Sequence, residues 1–221
     1  MIRAVLFDLD GTLVDSNELH VQAWQETFRH FGKEIPIERL RKQIGKGGDQ
    51  YLPEFLTEIE MREFGPQADE YRGKLFKKKY LPEIRPFPKV RELFERVRHD
   101  GKKIALASSG KEEEVRHYEK IAGIEGLSDS LTTADQVAHS KPKPDVFVAA
   151  LRTLGHLLPE EAIAIGDTPY DVDAAKRIGV PIIGLLCGGF PENVLRDEGA
   201  GAVFRDPADL FDRYYQSPLA G

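Results

Sequence analysis

The sequence predicts an α/β fold: a doubly wound parallel sheet with an all-helical insertion after the first strand. Three observations lead to this prediction. The chain opens on a short, wholly apolar strand pattern. From residue 84 onward, strand patterns alternate with helical ones, which is typical of a parallel sheet covered on both faces. Between these parts, residues 15–83 show helical patterns and no convincing strand. With 221 residues, 41% of them hydrophobic, the chain is long enough for such a core and an insertion.

The first predicted element is the strand around Val5–Phe7, which stops at two acids, Asp8 and Asp10. The insertion then begins with a predicted capping box, in which Asp15 is followed by Glu18 three residues later. Further helical segments are predicted near 37–44, 48–63 and 66–80. These boundaries predict a core domain of residues 1–14 and 84–221 and a helical cap domain of residues 15–83.

The remaining elements belong to the core. Strands are predicted at 103–107, 129–132, 162–166, 181–186 and 202–204. Helices are predicted at 88–99, 111–121, 144–154 and 170–178, several of them ending near a glycine.

Polar residues follow the predicted strands at the points where they end, and in open α/β sheets ligands bind beyond these carboxyl ends. In chain order these residues are Asp8, Asp10, Ser108, Ser109, Lys141, Asp167 and Asp171. Clustered carboxylates need a cation between them, and three acids suit Mg²⁺, which prefers oxygen ligands. A lysine and serine hydroxyls nearby suit a phosphoryl group. Each residue alone has a simpler explanation as a turn, a helix cap or a solvated charge, so the prediction depends on their combination.

Four motifs carry a family resemblance: DLDGT at 8–12, the serine after KIALA, SKPKPD at 140–145 and GDTPYD at 166–171. Their order and strand context resemble the haloacid dehalogenase superfamily, in its phosphatase branch with a helical cap. The resemblance covers nearly the whole chain. It implies a Rossmann-like core, a Mg²⁺ cofactor and hydrolysis of a small phosphorylated metabolite, such as phosphoglycolate or a sugar phosphate.

The resemblance also implies chemical roles. Asp8 would attack phosphorus and form an aspartyl-phosphate. Asp10 would protonate the leaving alcohol and then deprotonate the attacking water, a role that calls for a raised pKa. Lys141 would bind the phosphoryl group and steady Asp8.

The implied binding residues surround these groups. The Mg²⁺ ligands would be the Asp8 carboxylate, the Asp10 main-chain carbonyl, the Asp167 carboxylate and, as an occasional ligand, Asp171. Ser108 and the backbone N–H of Ser109 would hold the phosphoryl group, and the Ser109 hydroxyl is the alternative to that of Ser108.

Substrate choice is expected to come from the cap. The connection Gly45–Asp49 is glycine-rich, and Lys46 and Gly47 are candidates to meet an anionic part of the substrate; the alternative is an ordinary helix–helix turn. His20 is open between a site role and a structural role, whereas Trp24 is predicted to lie in the cap core.

Two other functions stay open: a phosphomutase related to β-phosphoglucomutase, and a non-catalytic regulator that binds a phosphometabolite. Against the mutase, the fourth motif begins Gly166-Asp167, where those relatives carry Glu-Asp. The net charge of −6 gives no reason to expect nucleic acid or an anionic membrane as a partner. The single cysteine, Cys187, and the absence of a signal-peptide pattern lead us to expect a cytoplasmic protein, and we expect a monomer.

Overall fold

The structure, a computed structural model, describes residues 1–220 and contains a six-stranded parallel sheet, so the predicted α/β fold is confirmed. The strands of this sheet are β1 (Ala4–Phe7), β4 (Lys103–Ala107), β5 (Ser130–Thr132), β6 (Ala162–Gly166), β7 (Ile182–Leu185) and β8 (Ala202–Phe204). Their order is β5-β4-β1-β6-β7-β8. The chain therefore adds β4 and then β5 on one side of β1, and it then returns to place β6, β7 and β8 on the other side. This reversal opens a crevice at the carboxyl end of β1, where ligands bind in such sheets.

Helices cover both faces of the sheet, because side chains of alternate strand residues point to opposite faces. Val5 and Phe7 of β1 belong to one apolar cluster, and Ala4 and Leu6 belong to the other. The first face is covered by α5 (Val90–His99), α6 (Glu112–Ile121) and α10 (Pro207–Asp212). The second is covered by α7 (Asp145–Thr153), α8 (Pro169–Lys176) and α9 (Glu192–Glu198).

The insertion is helical and has an apolar cluster of its own. It contains α1 (Asn17–His30), α2 (Ile37–Arg41), α3 (Gly48–Tyr51) and α4 (Glu58–Leu75), followed by a π-helical turn, Phe76–Tyr80. Trp24 is buried in this cluster and stacks on Tyr51 with ring centroids 4.7 Å apart, as predicted for a residue of the cap core.

Two short strands join the insertion to the sheet. β2 (Val14–Asp15) pairs with β3 (Arg85–Pro86) in an antiparallel ladder. The expectation of no strand within 15–83 is therefore wrong at Asp15. The predicted capping box is wrong for the same reason: Asp15 lies in the ladder, and α1 begins after Ser16, which makes no side-chain cap. The ladder lies next to the two predicted boundaries, and the division into a core domain and a cap domain stays a prediction.

The helices of the insertion also differ from their predicted bounds. The predicted segments 48–63 and 66–80 are redivided, because α4 runs through Pro66 without a break. Pro66 removes one backbone hydrogen bond. It lies on the exposed side of the helix, where water can donate a hydrogen bond to the carbonyl that is left without a partner. A capping box of Thr57 and Glu60 starts this helix, with Thr57 N–H donating to Glu60 at 2.8 Å. Within residues 1–220, no helix has the length and apolarity to cross a membrane.

Candidate active site

Asp8 directly follows the central strand, and its backbone N–H donates to Ile165 O of β6 at 2.9 Å. This hydrogen bond continues the sheet by one residue and fixes the direction of the side chain. The Asp8 carboxylate is buried and forms an ion pair with the ammonium group of Lys141. Lys141 is equally buried and also contacts Asp171 Oδ1 at 2.7 Å. Residues 133 positions apart in the chain thus meet, as the sequence predicts.

Three buried acids converge at this point. Ligand oxygens of Asp8, Asp167 and Asp171 all lie within 4.8 Å of one another. The Thr12 hydroxyl bridges two of them, at 3.1 Å from Asp8 Oδ2 and 2.8 Å from Asp167 Oδ1. Asp171 also accepts hydrogen bonds from the backbone and hydroxyl of Thr168, at 3.1 and 2.6 Å. Asp171 thus accepts hydrogen bonds from Thr168 and pairs with Lys141, whereas Asp8 and Asp167 share the Thr12 hydroxyl.

This cluster fits a divalent cation. Burial raises the pKa of Asp8 to about 7, although the Lys141 ammonium works in the opposite direction. Burial, with repulsion from Asp8 and Asp171, also raises the pKa of Asp167 well above its usual range. Crowded buried carboxyls of this kind keep protons unless a cation neutralises them. A set of hard oxygen donors is the one Mg²⁺ prefers, so the residues present suit the expected cofactor.

The space around Asp167 is shaped by two glycines. A Cβ at Gly188 would lie 1.7 Å from Asp167 Oδ2, and one at Gly11 would lie 2.3 Å from the same atom. Gly11 also has a positive φ of 72°, which other residues rarely adopt. Asn17 completes the surroundings by donating to Asp167 Oδ2 at 2.8 Å and to Gly188 O at 2.9 Å. The sequence prediction missed Asn17, since a residue at a helix start gives no signal of this contact.

Asp10 lies beside the acid cluster in a different environment. Its Oδ1 accepts a hydrogen bond from Ser16 at 2.6 Å and contacts His20 Nε2 at 2.8 Å. Burial alone would raise the pKa of Asp10, but the charge and hydrogen bond of His20, with the Ser16 hydroxyl, lower it to about 2. The raised pKa expected for a general acid is therefore not found in this arrangement, because His20 favours the ionised carboxyl. His20 is thus a partner of Asp10, and its ring stacks on Phe76 with centroids 4.0 Å apart.

The two adjacent serines are placed differently. Ser108 is buried, and its hydroxyl accepts a hydrogen bond from Gly110 N–H at 2.9 Å. Ser109 lines the cavity in front of Asp8, and its hydroxyl accepts a hydrogen bond from Lys141 N–H at 3.4 Å. Ser108 therefore shapes the turn, while Ser109 is presented toward the cavity.

A cavity of about 260 Å³ lies between the sheet edge and the insertion. Asp8 and Asp10 form part of its floor, and the connection Gly45–Asp49 forms part of its cap side. On another wall, Arg72 of α4 contacts His20 Nδ1 and lies 3.4 Å from Glu114 of α6. The sequence prediction missed this pair, whose members lie 42 positions apart and give no local pattern.

Lys46 lines the cavity, but its ammonium group is already paired. It donates to Gln43 Oε1 at 2.6 Å and to Glu54 Oε1 at 2.7 Å. It also lies 4.7 Å from the centroid of the Tyr170 ring, a cation–π distance. Gly47 lines the cavity and also contacts the core, since its N–H donates to Ser140 Oγ at 3.0 Å.

Comparison with known proteins agrees with this geometry. A family model described as haloacid dehalogenase-like hydrolase matches residues 5–185. A phosphoglycolate phosphatase from Aquifex aeolicus is 33% identical over 183 residues, covering 80% of this chain and 82% of the relative. A phosphorylated carbohydrates phosphatase from Thermotoga maritima is 27% identical over 209 residues, covering 92% of this chain and 94% of the relative.

Solved structures agree as well. The crystal structure of a hydrolase from Pseudomonas syringae matches with a TM-score of 0.87 at 29% identity, covering 96% of this chain and 98% of the other. The family resemblance seen in the four sequence motifs is confirmed. The chain belongs to the haloacid dehalogenase-like hydrolases, as an enzyme of their phosphatase branch.

Proposed function

We propose that this protein is a Mg²⁺-dependent phosphatase that hydrolyses a small phosphate monoester through an aspartyl-phosphate on Asp8. The observation that carries the proposal is the buried Asp8 carboxylate, held by Lys141 and Thr12 at the floor of the cavity beneath the cap. A nucleophile must be fixed in direction and shielded from bulk water, and this placement does both.

The chemistry balances in two steps. An Asp8 oxygen bonds to phosphorus as the ester P–O bond breaks, and Asp10 gives its proton to the departing oxygen. Asp10 then takes a proton from water, whose oxygen attacks phosphorus and releases inorganic phosphate and the free Asp8 carboxylate. In this scheme the Asp10–His20 pair, whose atoms lie 2.8 Å apart, holds the proton before the first step and again after the second.

The other residues bind and orient. Lys141 neutralises charge on the transferring phosphoryl group, and the Ser109 hydroxyl and nearby backbone N–H groups face its oxygens. The carboxylates of Asp8 and Asp167, with the Asp10 main-chain carbonyl, would hold Mg²⁺, and Asp171 would support them. When bound, Mg²⁺ supplies charge neutralisation at the phosphoryl oxygens and at the crowded acids.

The substrate class proposed from relatives is a small soluble metabolite. The named relatives include phosphatases of phosphoglycolate and of phosphorylated carbohydrates. A cavity of about 260 Å³ suits a compound of that size rather than a folded phosphoprotein. A cytoplasmic, monomeric enzyme without nucleic-acid partners remains our proposal for its setting.

Phosphate release from a panel of small phosphate esters tests the proposal, with Mg²⁺ and with a chelator. Wild type and Asp8→Asn are compared, and a surface change of the same chemistry, Asp212→Asn, serves as the matched control. Metal-dependent release that Asp8→Asn abolishes and Asp212→Asn retains supports the proposal.

Two results would count against it. Equal release by wild type and Asp8→Asn contradicts the covalent mechanism. No release from any ester would direct the next assay to a sugar phosphate with its bisphosphate, the substrates of a mutase.

A further inference from the structure

The glycine-rich connection Gly45–Asp49 of the cap binds the loop that carries Lys141. Gly47 N–H donates to Ser140 Oγ at 3.0 Å. Ser140 N–H donates to Asp49 Oδ2 at 3.1 Å, and the Ser140 hydroxyl donates to Asp49 Oδ1. Three hydrogen bonds thus join the cap to a single residue of the core, next in sequence to Lys141.

Glycine is needed for this close approach. A Cβ at Gly47 would lie 2.6 Å from both Cβ and Oγ of Ser140. Gly45 has a φ of 103°, and a Cβ there would lie 2.6 Å from Thr168 in the loop that precedes Asp171. Side chains at these two positions would separate the cap from both core loops. The spacing of glycines therefore fits a docking contact better than a free turn.

Neighbouring contacts fix the same connection on the core. The Tyr170 hydroxyl donates to Lys42 O and lies 3.0 Å from Gln43 Oε1. The Lys46 ammonium lies over the Tyr170 ring and pairs with Glu54. These contacts hold Lys46 beside the cavity, and its contact with an anionic part of the substrate stays a prediction.

On the core side, Ser140 has a direct link to catalysis. Lys141 follows it, and the Lys141 ammonium contacts both Asp8 and Asp171. The Lys141 backbone N–H reaches Ser109 Oγ only at 3.4 Å, a long hydrogen bond. Besides the ion pairs of its side chain, Lys141 thus has within residues 1–220 only this long hydrogen bond to Ser109, whereas the cap carboxylate of Asp49 binds Ser140 twice.

We infer that Asp49 is a positioning residue: its carboxylate, through Ser140, sets the placement of Lys141 when the cap is closed on the core. The kinetic consequence rests on the phosphatase function proposed above. Hydrogen bonds to an ionised acceptor are among the stronger ones in proteins, so the loss of this pair frees the Lys141 loop. Cap closure and assembly of the phosphate-binding site become one event.

The test is a double-mutant cycle of Asp49→Ala and Ser140→Ala, with kcat and KM measured on the best ester. We expect each single variant to lower kcat/KM by about 10- to 100-fold, since one or two charge-assisted hydrogen bonds are lost. The double variant should fall no further than the worse single variant. Asp49→Asn keeps one acceptor oxygen and should recover part of the loss.

The matched control removes another contact between cap and core. Lys77 donates to Glu113 across the same boundary, but both side chains are more than half exposed. Exposed pairs contribute little, so Lys77→Gln should leave kcat/KM within about twofold of wild type. A similar loss in this control would mean that any cap–core contact matters and would overturn the specific role of Asp49.

A second measurement needs no substrate. Hydrogen exchange of peptides covering 137–143 should speed up in Asp49→Ala and not in Lys77→Gln. Additive kinetic losses, or unchanged exchange in Asp49→Ala, would overturn the inference. If exchange responds while the wild type hydrolyses no ester, the positioning contact stands and the proposed function falls.

Discussion

Replacing Asp8 by asparagine should stabilise the metal-free protein while it abolishes turnover. Asp8 is 5% exposed, and its pKa rises from 3.8 to about 7 on folding because burial disfavours its charge. A raised pKa means that the folded state keeps the proton of Asp8 up to a higher pH than the unfolded chain does. As pH rises from 3.8 to about 7 the unfolded chain therefore releases its proton first, and the folded state loses stability relative to it.

The magnitude follows from the two pKa values. Each pKa unit corresponds to about 1.36 kcal/mol, so the cost to the folded state reaches up to about 4 kcal/mol at pH 8. At pH 4.5 the same relation leaves a cost of about 1 kcal/mol. The asparagine side chain of the variant carries no charge and avoids this cost, while Lys141 keeps its contact with Asp171 at 2.7 Å.

Thermal or urea unfolding with a chelator measures this effect at pH 4.5, 6 and 8. The gain of Asp8→Asn over wild type should grow with pH and level off above about pH 7. Asp212→Asn, a change at a 59% exposed carboxylate, should show no such trend. Adding Mg²⁺ should stabilise wild type more than the variant. A variant that is less stable than wild type at pH 8, or a gain that does not depend on pH, would refute the reasoning.

Three further changes test single contacts. Thr12→Val removes the hydroxyl that joins two acids of the site, so kcat/KM should fall by roughly 10- to 100-fold. Thr12→Ser keeps the hydroxyl and should retain most of the activity. Equal rates for wild type and both variants would contradict the role of this hydroxyl. His20→Gln removes the charge that lowers the pKa of Asp10 to about 2. Because Asp10 must be protonated in the first step, the basic limb of the kcat/KM profile should move upward by at least about one pH unit. An unmoved basic limb would show that His20 does not control the proton of Asp10. Trp24→Ala removes the ring packed on Tyr51 and should cost about 3–5 kcal/mol of unfolding free energy; a loss below about 1 kcal/mol would contradict its place in the cap core.

The proposed catalytic rim could be predicted from the sequence because its residues lie in the segments that follow the strands. Parallel strands bring their carboxyl ends to one edge, so Asp8, Lys141 and Asp167 had to meet there once the strands were recognised. The choice between Ser108 and Ser109 could not be made in this way. In the turn after β4, Gly110 N–H donates to the Ser108 hydroxyl and Ser109 lines the cavity, and which serine holds the phosphoryl group stays a prediction.

Contacts between the insertion and the sheet were beyond sequence reasoning. Arg72 with Glu114, and Asp49 with Ser140, join segments that no local pattern relates. Their pairing depends on how the cap lies on the core. The environment of Asp10 is a similar case, since its lowered pKa comes from His20 in α1 and not from its own strand.

The acid cluster and the cap contact act on the same lysine. Lys141 faces Asp8 and Asp171 at once, with Asp167 close behind, so one ammonium group opposes three carboxyls. Repulsion among these buried carboxyls destabilises the folded state unless a further cation binds, and a buried nucleophile brings this cost with it. The ion pairs hold the Lys141 ammonium group, whereas the backbone of its loop is held by other contacts. The Asp49–Ser140 contact supplies this support from the cap, and it ties the most crowded charges of the core to the position of the insertion.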